Sequence, residues 1–253
     1  MHNEHTIMSK LSKLRVHIIP LGFEIDRILL PAKEMKADKI WLVKHDNPSQ
    51  DKAKNYSETI LKDLKKNKIQ VEFAEADRGD VFNILKIVKE IFEKEKDNDI
   101  YVNVSSGSKI QAIACMMACM IFKECNVTPY YAEPESYPST QGKQQSIGLK
   151  NIIALPKYEI QKPRQELIDA LKIIQDNNGK ITKKEMAILA EESKIITIGA
   201  KDENQSQARF ASLDKNIIQP LQEQWKFIEV EKIGRNRWIK ITQEGIDASK
   251  FLI

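Results

Sequence analysis

At 253 residues, with 42% hydrophobic and 30% charged side chains, the chain has the composition of an ordinary globular protein of one large or two smaller domains. The net charge is only +4, with 23 basic and 21 acidic residues up to position 156 and 17 and 15 beyond it, so any nucleic-acid footprint has to be local. The longest apolar run, Ala112 to Phe122, is too short to cross a bilayer, and the start Met1-His2-Asn3-Glu4-His5 lacks the shape of a signal peptide; a cytoplasmic protein is predicted.

Residues 1 to 13 read as a polar, frayed start. Arg15 to Pro20 is the first predicted strand, and Leu21-Gly22-Phe23-Glu24 turns into a helix from Ile25 to Lys36. Lys39 to Val43 is a second strand. Tyr56, Ile60, Leu61 and Leu64 mark one face of a helix over Lys52 to Asn67, and Ile69 to Ala74 is a third strand. Asp80 is placed to cap a helix whose buried face is Val81, Ile84, Leu85, Val88, Ile91 and Phe92.

The next stretch carries the chemistry. Ile100 to Val104 reads as a buried strand, and Ser105-Ser106-Gly107-Ser108-Lys109 opens a helix running to Phe122. A small polar turn between strand and helix offers hydroxyls, a glycine that lets the backbone approach a ligand, amides at the positive end of a helix dipole, and an ammonium group, all suited to an anion. The simpler alternative is an ordinary helix cap with a flexible turn. No Walker A and no dinucleotide-type Gly-x-Gly-x-x-Gly is present, which disfavours an NTPase or a dehydrogenase.

Val127 to Ala132 is a fifth strand, so strand and helix alternate five times, as in a mostly parallel sheet covered on both faces. That layering accounts for a helix from Lys109 that is apolar nearly all round. In a 3-2-1-4-5 strand order the ligand crevice lies outside the carboxyl ends of strands 1 and 4, where Leu21 to Asp26 faces Ser105 to Lys109. Cys115, Cys119 and Cys125 fall on or just after one helix, with no histidine nearby in sequence to complete a metal set, and read as buried small hydrophobes.

Residues 133 to 148 form a long polar loop, of the kind that is usually functional or disordered. Leu149 to Leu155 is a sixth strand, antiparallel at the edge, and Pro156 to Pro163 a linker. The rhythm then changes: helices over Arg164 to Gln175, Lys183 to Glu192 (capped by Thr182) and Gln205 to Gln222, with Pro220 bending the last; strands over Phe227 to Lys232 and Arg237 to Ile241; and a closing helix from Gln243 to Phe251. Three helices, a hairpin and a helix make a winged helix-turn-helix. The predicted architecture is therefore a six-stranded Rossmann-like domain over residues 14–156 and a winged helix over 163–253.

Lys232, Arg235, Arg237 and Lys240 cluster on the hairpin, and the third helix offers Ser206, Arg209, Ser212, Lys215 and Asn216, side chains able to reach phosphates or base edges. The competing reading is a protein-docking module whose polar face is merely solvated.

The strand ending Asn103-Val104, the turn Ser105 to Lys109 with its Ala- and Met-rich helix, the turn Gly22-Phe23-Glu24-Ile25-Asp26-Arg27 and the C-terminal winged helix together resemble the CARF (CRISPR-associated Rossmann fold) regulators of archaea, the Csa-like and haloarchaeal group. The resemblance spans nearly the whole chain. It implies a homodimer that binds a cyclic oligoadenylate near its dyad through Gly22, Phe23, Glu24, Ser105, Ser106, Gly107, Ser108 and Lys109, binds double-stranded DNA through its winged domains, and controls transcription. It implies no cofactor, no metal, no membrane partner and no catalytic residue. The alternative it raises is a metal-independent ring nuclease, in which the ribose 2′-hydroxyl attacks the phosphate while Lys109 and the serines stabilise the developing charge.

Overall fold

The computed structural model describes residues 12–49, 51–138, 144–197 and 205–253. The chain divides into two compact units, residues 1–161 and 162–253.

The first unit is a six-stranded sheet in the order β3-β2-β1-β4-β5-β6. Its strands are β1 (Arg15–Pro20), β2 (Lys39–His45), β3 (Gln70–Ala76), β4 (Asp99–Asn103), β5 (Val127–Glu133) and β6 (Asn151–Ala154). The first five are parallel, and β6 runs antiparallel to β5 at the edge. Helices α1 (Asp26–Glu34), α2 (Lys54–Lys66), α3 (Val81–Lys94) and α4 (Lys109–Ile121) connect the parallel strands. Val16, Ile18, Ile40, Leu42 and Val102 are fully buried, as expected of strands covered on both faces.

Ile28 and Leu29 of α1 and Ile60 and Leu64 of α2 pack with Ile19, Ile40 and Leu42 into one cluster. Helix α3 lies against α4, with Phe92 and Phe122 edge to face at 6.5 Å. Strand order reverses beside β1, because the chain leaves β3 at one edge and returns as β4 on the other side of β1.

Several polar groups tie this unit together. Arg15 holds Asp38 by two side-chain bonds of 3.0 and 3.1 Å, fixing the start of β1 beside that of β2. Buried Glu95 accepts from Trp41 Nε1 at 2.7 Å and pairs with Lys39 Nζ at 2.7 Å. His17 on β1 is wholly buried, with Nδ1 3.0 Å from the Tyr130 hydroxyl and its ring 5.2 Å from that of Tyr101.

Helix α4 is apolar nearly all round, yet only part of it is buried: Ala114, Cys115, Ala118 and Cys119 face the core, whereas Ile113 is 55% exposed and Ile110 38%. Helices on that side of the sheet leave one face of α4 open. Cys115 and Cys119 are buried small side chains, and burial lifts the Cys115 thiol to a pKa of about 12.

The second unit is a winged helix. Its order is α5 (Gln165–Asp176), β7 (Lys180–Thr182), α6 (Lys183–Glu192), α7 (Gln205–Leu213), β8 (Ile228–Ile233), β9 (Asn236–Ile241) and α8 (Gln243–Leu252). Leu171, Ile174, Met186, Leu213, Ile217, Leu221, Ile228 and Ile239 form its core. Thr182 caps α6 in a reciprocal box with Glu185. The same residue ends β7, a three-residue strand pairing with β9 that the sequence reading did not anticipate. Beyond Leu213 the helix widens into two π-helical stretches, Asp214–Ile218 and Pro220–Gln224, so Pro220, which has no N–H, is absorbed by looser winding.

Candidate functional site

The two predicted turns meet at the carboxyl ends of β1 and β4. They touch at their glycines: a Cβ built on Gly22 would lie 2.5 Å from the Gly107 nitrogen and 2.8 Å from its Cα. Gly107 has φ +79°, and a Cβ there would lie 2.5 Å from Pro20 Cβ. Both positions therefore require glycine, one for close approach and one for conformation as well.

Each serine of the second turn has an internal partner. Ser105 Oγ accepts from Ala132 N at 2.5 Å, and Ser105 N donates to Asn103 Oδ1 at 2.8 Å. Ser106 Oγ donates to Pro20 O at 2.5 Å, tying the turn to the end of β1. Ser108 caps α4 in a box with Gln111: Ser108 Oγ accepts from Gln111 N at 3.1 Å, and Gln111 Oε1 accepts from Ser108 N at 2.9 Å. The hydroxyls shape the turn. Lys109 is exposed and without an ion pair among the described residues, and it opens α4 at the positive end of the helix dipole.

The first turn is held from far along the chain. Gln144 Oε1 accepts from Ile25 N and Asp26 N at 2.8 and 2.9 Å, supplying the cap that α1 lacks locally. Buried Glu24 accepts from Ser146 Oγ at 2.7 Å and lies 3.5 Å from Arg27 NH1. Arg27 donates to Ala132 O at 2.8 Å and sits over the Tyr131 ring, 4.7 Å from its centroid. Gly148 N donates to Asp26 Oδ2 at 2.9 Å, and Gln145 N to Phe23 O at 3.0 Å. The long polar loop thus folds back over the turn; its residues 139–143 lie outside the described residues. Phe23 is half-buried against Tyr56, with ring centroids 5.6 Å apart. Beside that pair, Ile25, Asn55, Tyr56 and Thr59 line a cleft of about 390 Å³.

In the winged unit, Ile233 pairs with Asn236, leaving Gly234 and Arg235 as a two-residue loop. Gly234 has φ +62°, the first position of a tight hairpin turn. Lys232, Arg235 and Arg237 are exposed on this wing. A groove of about 370 Å³ beside it is lined by Thr182, Lys183, Lys184, Phe210, Arg235, Asn236 and Arg237. On the third helix, Ser206 and Lys215 are exposed, while Asn216 Nδ2 donates to Ser212 Oγ at 3.1 Å. Arg209 pairs with Glu191 of α6 at 2.5 Å, so it braces two helices.

Sequence reasoning placed the two turns opposite each other but missed Gln111, Gln144, Ser146, Arg27 and Arg78. Gln111 was findable, because Ser108-Lys-Ile-Gln111 spells a capping box. Gln144, Ser146 and Arg78 act across long sequence separations and leave no local signal, as does the bond from Arg27 to Ala132.

A parallel Rossmann-like domain with paired turns at its switch point, followed by a winged helix, defines the class of this protein. Residues 15–137 match the family described as HFX_2341_N-like, N-terminal, and residues 166–253 match the DUF6293 C-terminal winged helix domain. The two matches fall one on each compact unit of the chain. It is similar to protein MJ1513 of Methanocaldococcus jannaschii, an uncharacterized protein, at 32% identity over 211 residues, covering 72% of this chain and 63% of that relative.

Among solved structures it is similar to Can2 from Sulfobacillus thermosulfidooxidans in complex with cyclic tetra-adenylate (12% identity, TM-score 0.42, 94% of this chain and 63% of that one). It is also similar to Enterococcus italicus Csm6 bound to cyclic hexa-2′-fluoro-hexa-dAMP (11% identity, TM-score 0.43, 84% and 56%). The chain thus spans less than two thirds of each of these relatives. Likenesses this distant do not bear on ligand or activity. No described helix is long and apolar enough to cross a membrane.

Proposed function

We propose that the protein is a ligand-responsive regulator whose N-terminal domain binds a cyclic oligoadenylate and whose winged helix binds double-stranded DNA. The observation that carries this reading is the contact between Gly22 and Gly107, which brings the β1 turn against a helix start bearing a free Lys109. A nucleotide phosphate suits such a place, since it combines a helix start with an exposed lysine. Cyclic tetra-adenylate, two-fold symmetric and carrying several phosphates, is the candidate ligand that the CARF resemblance of the sequence implies.

The exposed Ile110 and Ile113, within a turn of Lys109, give an apolar face for a second copy of the chain, so that two turns would face a two-fold symmetric ring. On the winged unit, Lys232, Arg235 and Arg237 reach DNA phosphates, and Ser206, Ser212, Lys215 and Asn216 lie along the helix that enters the major groove. The same turn could open the ring instead, with Lys109 and the helix amides stabilising the phosphorane charge.

Calorimetry with cyclic and linear adenylates, on wild type and Lys109→Ala, tests the ligand; analysing the same mixtures for linear product separates sensing from cleavage. Binding of every adenylate no tighter to wild type than to Lys109→Ala would refute the ligand. Titrating duplex DNA with and without saturating cyclic tetra-adenylate tests regulation. Linkage requires that the factor by which ligand changes DNA affinity equal the factor by which DNA changes ligand affinity. Equal DNA dissociation constants in both titrations would remove the regulatory role.

A further inference from the structure

Arg78 stands in the four-residue connection between β3 and α3, on the same carboxyl edge of the sheet as the two glycine turns. Its NH2 donates to the carbonyl of Leu21, the residue immediately before Gly22. The guanidinium is half-buried, and its Nε has no hydrogen-bond partner. Among the described residues it forms no ion pair.

Acidic groups stand close by in sequence, yet they serve the backbone. Asp77 Oδ1 accepts from Gly79 N at 2.8 Å, and Asp80 Oδ1 accepts from Phe82 N and Asn83 N at 2.9 and 3.2 Å. Asn83 Oδ1 in turn accepts from Asp77 N at 3.0 Å, so the connection is a fixed frame around the arginine. Burial depresses the pKa of Arg78 below its ordinary value, and the field of Asp51 opposes this without a contact. A half-buried guanidinium that lacks a carboxylate partner is an anion receptor by its chemistry.

We propose that Arg78 is the second cation of the ligand crevice, binding a phosphodiester oxygen of the nucleotide from the β3 side of Gly22 while Lys109 binds from the α4 side. The Leu21 carbonyl orients the guanidinium fork, and Gly22, packed against the Gly107 backbone, joins the β1 turn that Arg78 holds to the turn that carries Lys109. This assignment rests on reading the crevice as a nucleotide site and adds a residue that neither turn contains.

The test measures affinity for cyclic tetra-adenylate and for inorganic tripolyphosphate, across a range of salt, in wild type, Arg78→Ala, Arg78→Lys and the control Lys62→Ala, a remote exposed lysine on α2. Wild type binds both probes; Arg78→Ala binds each about tenfold or more weakly with a flatter salt dependence, Arg78→Lys regains part of the loss, and Lys62→Ala matches wild type. A purely structural Arg78 would change the unfolding midpoint and leave the salt dependence alone. If Arg78→Ala fails to fold, Arg78→Lys carries the test, since it keeps the charge and loses the fork. Equal affinity and salt dependence in wild type and the Arg78 variants overturn the assignment. Tripolyphosphate binding through Arg78 without cyclic tetra-adenylate binding keeps the anion site and refutes the oligoadenylate reading; binding of neither probe by wild type refutes both.

Discussion

Gly22 lies so close to Gly107 that it has no room for a methyl group: a Cβ on the first would reach 2.5 Å from the nitrogen of the second. The obstacle is backbone, which cannot rotate away as a flexible side chain could. Gly22→Ala should therefore lower stability by about 1–3 kcal/mol, the usual result of forcing atoms into a packed interior, and abolish ligand binding by prising the turns apart. Denaturant unfolding alongside calorimetry checks both, and a variant with the wild-type midpoint and affinity would show that the contact is dispensable.

Lys109 and Ser106 occupy one turn but should fail differently. Lys109 is exposed, so Lys109→Ala should lose ligand while leaving the unfolding midpoint nearly unchanged. Ser106 is buried and satisfies the Pro20 carbonyl; Ser106→Ala should destabilise the fold by about 1–2 kcal/mol, because a buried acceptor is left without its donor. Thermal melts of the two variants decide the matter, and a reversed order would mean that the hydroxyl is the ligand contact.

On the wing, Arg235 and Arg237 are exposed, whereas Arg209 is braced against Glu191. The double variant Arg235→Ala/Arg237→Ala should weaken duplex binding across sequences and flatten its dependence on salt. Arg209→Ala should instead lower the stability of the winged unit. Fluorescence anisotropy at several salt concentrations reads the first effect, and an unchanged slope would remove the wing from the DNA interface. A dimer carrying two such wings should favour half-sites about 34 Å apart or a multiple of that.

His17 predicts an acid-sensitive fold. Burial first, and the field of Arg15 second, lower its pKa to about 4 from an ordinary value of 6.5, while Asp38 acts weakly the other way. Between those values the unfolded chain takes up a proton that the folded protein refuses, so stability should decline as pH falls from 6.5 and level off below about 4. The full difference corresponds to roughly 3 kcal/mol. His17→Leu should unfold with a shallower pH dependence in that window than the wild type does; identical slopes would show that His17 is not what titrates.

Strands, helices and their order were legible because each depends on a short repeating pattern. The apolar run Ile100 to Val104 and the stripe Tyr56, Ile60, Leu61, Leu64 are visible to any reading of period. Strand β7 was not, since three residues carry no periodicity and Thr182 also serves as a cap. The exposure of Ile113 was missed because composition cannot tell a side chain that meets the core from one left open for another partner. The turns were legible through their glycines and serines. Arg78 and Gln144 were not, because each reaches Leu21 or Ile25 from 57 and 119 positions away.

That last separation has a consequence for motion. The amides that begin α1 are satisfied by Gln144, not by a neighbour in sequence, and Glu24 is held by Ser146 of the same returning loop. If that loop lifts, Ile25 and Asp26 lose their acceptor together, and the ligand turn loosens with them. Native-state hydrogen exchange would then see the α1 start and residues 144–148 open as one cooperative unit, below the free energy of global unfolding. The readiness of the crevice would be set by the closing of a clasp formed late in the chain, so a protease cut between residues 144 and 148 would loosen the crevice while leaving the sheet intact.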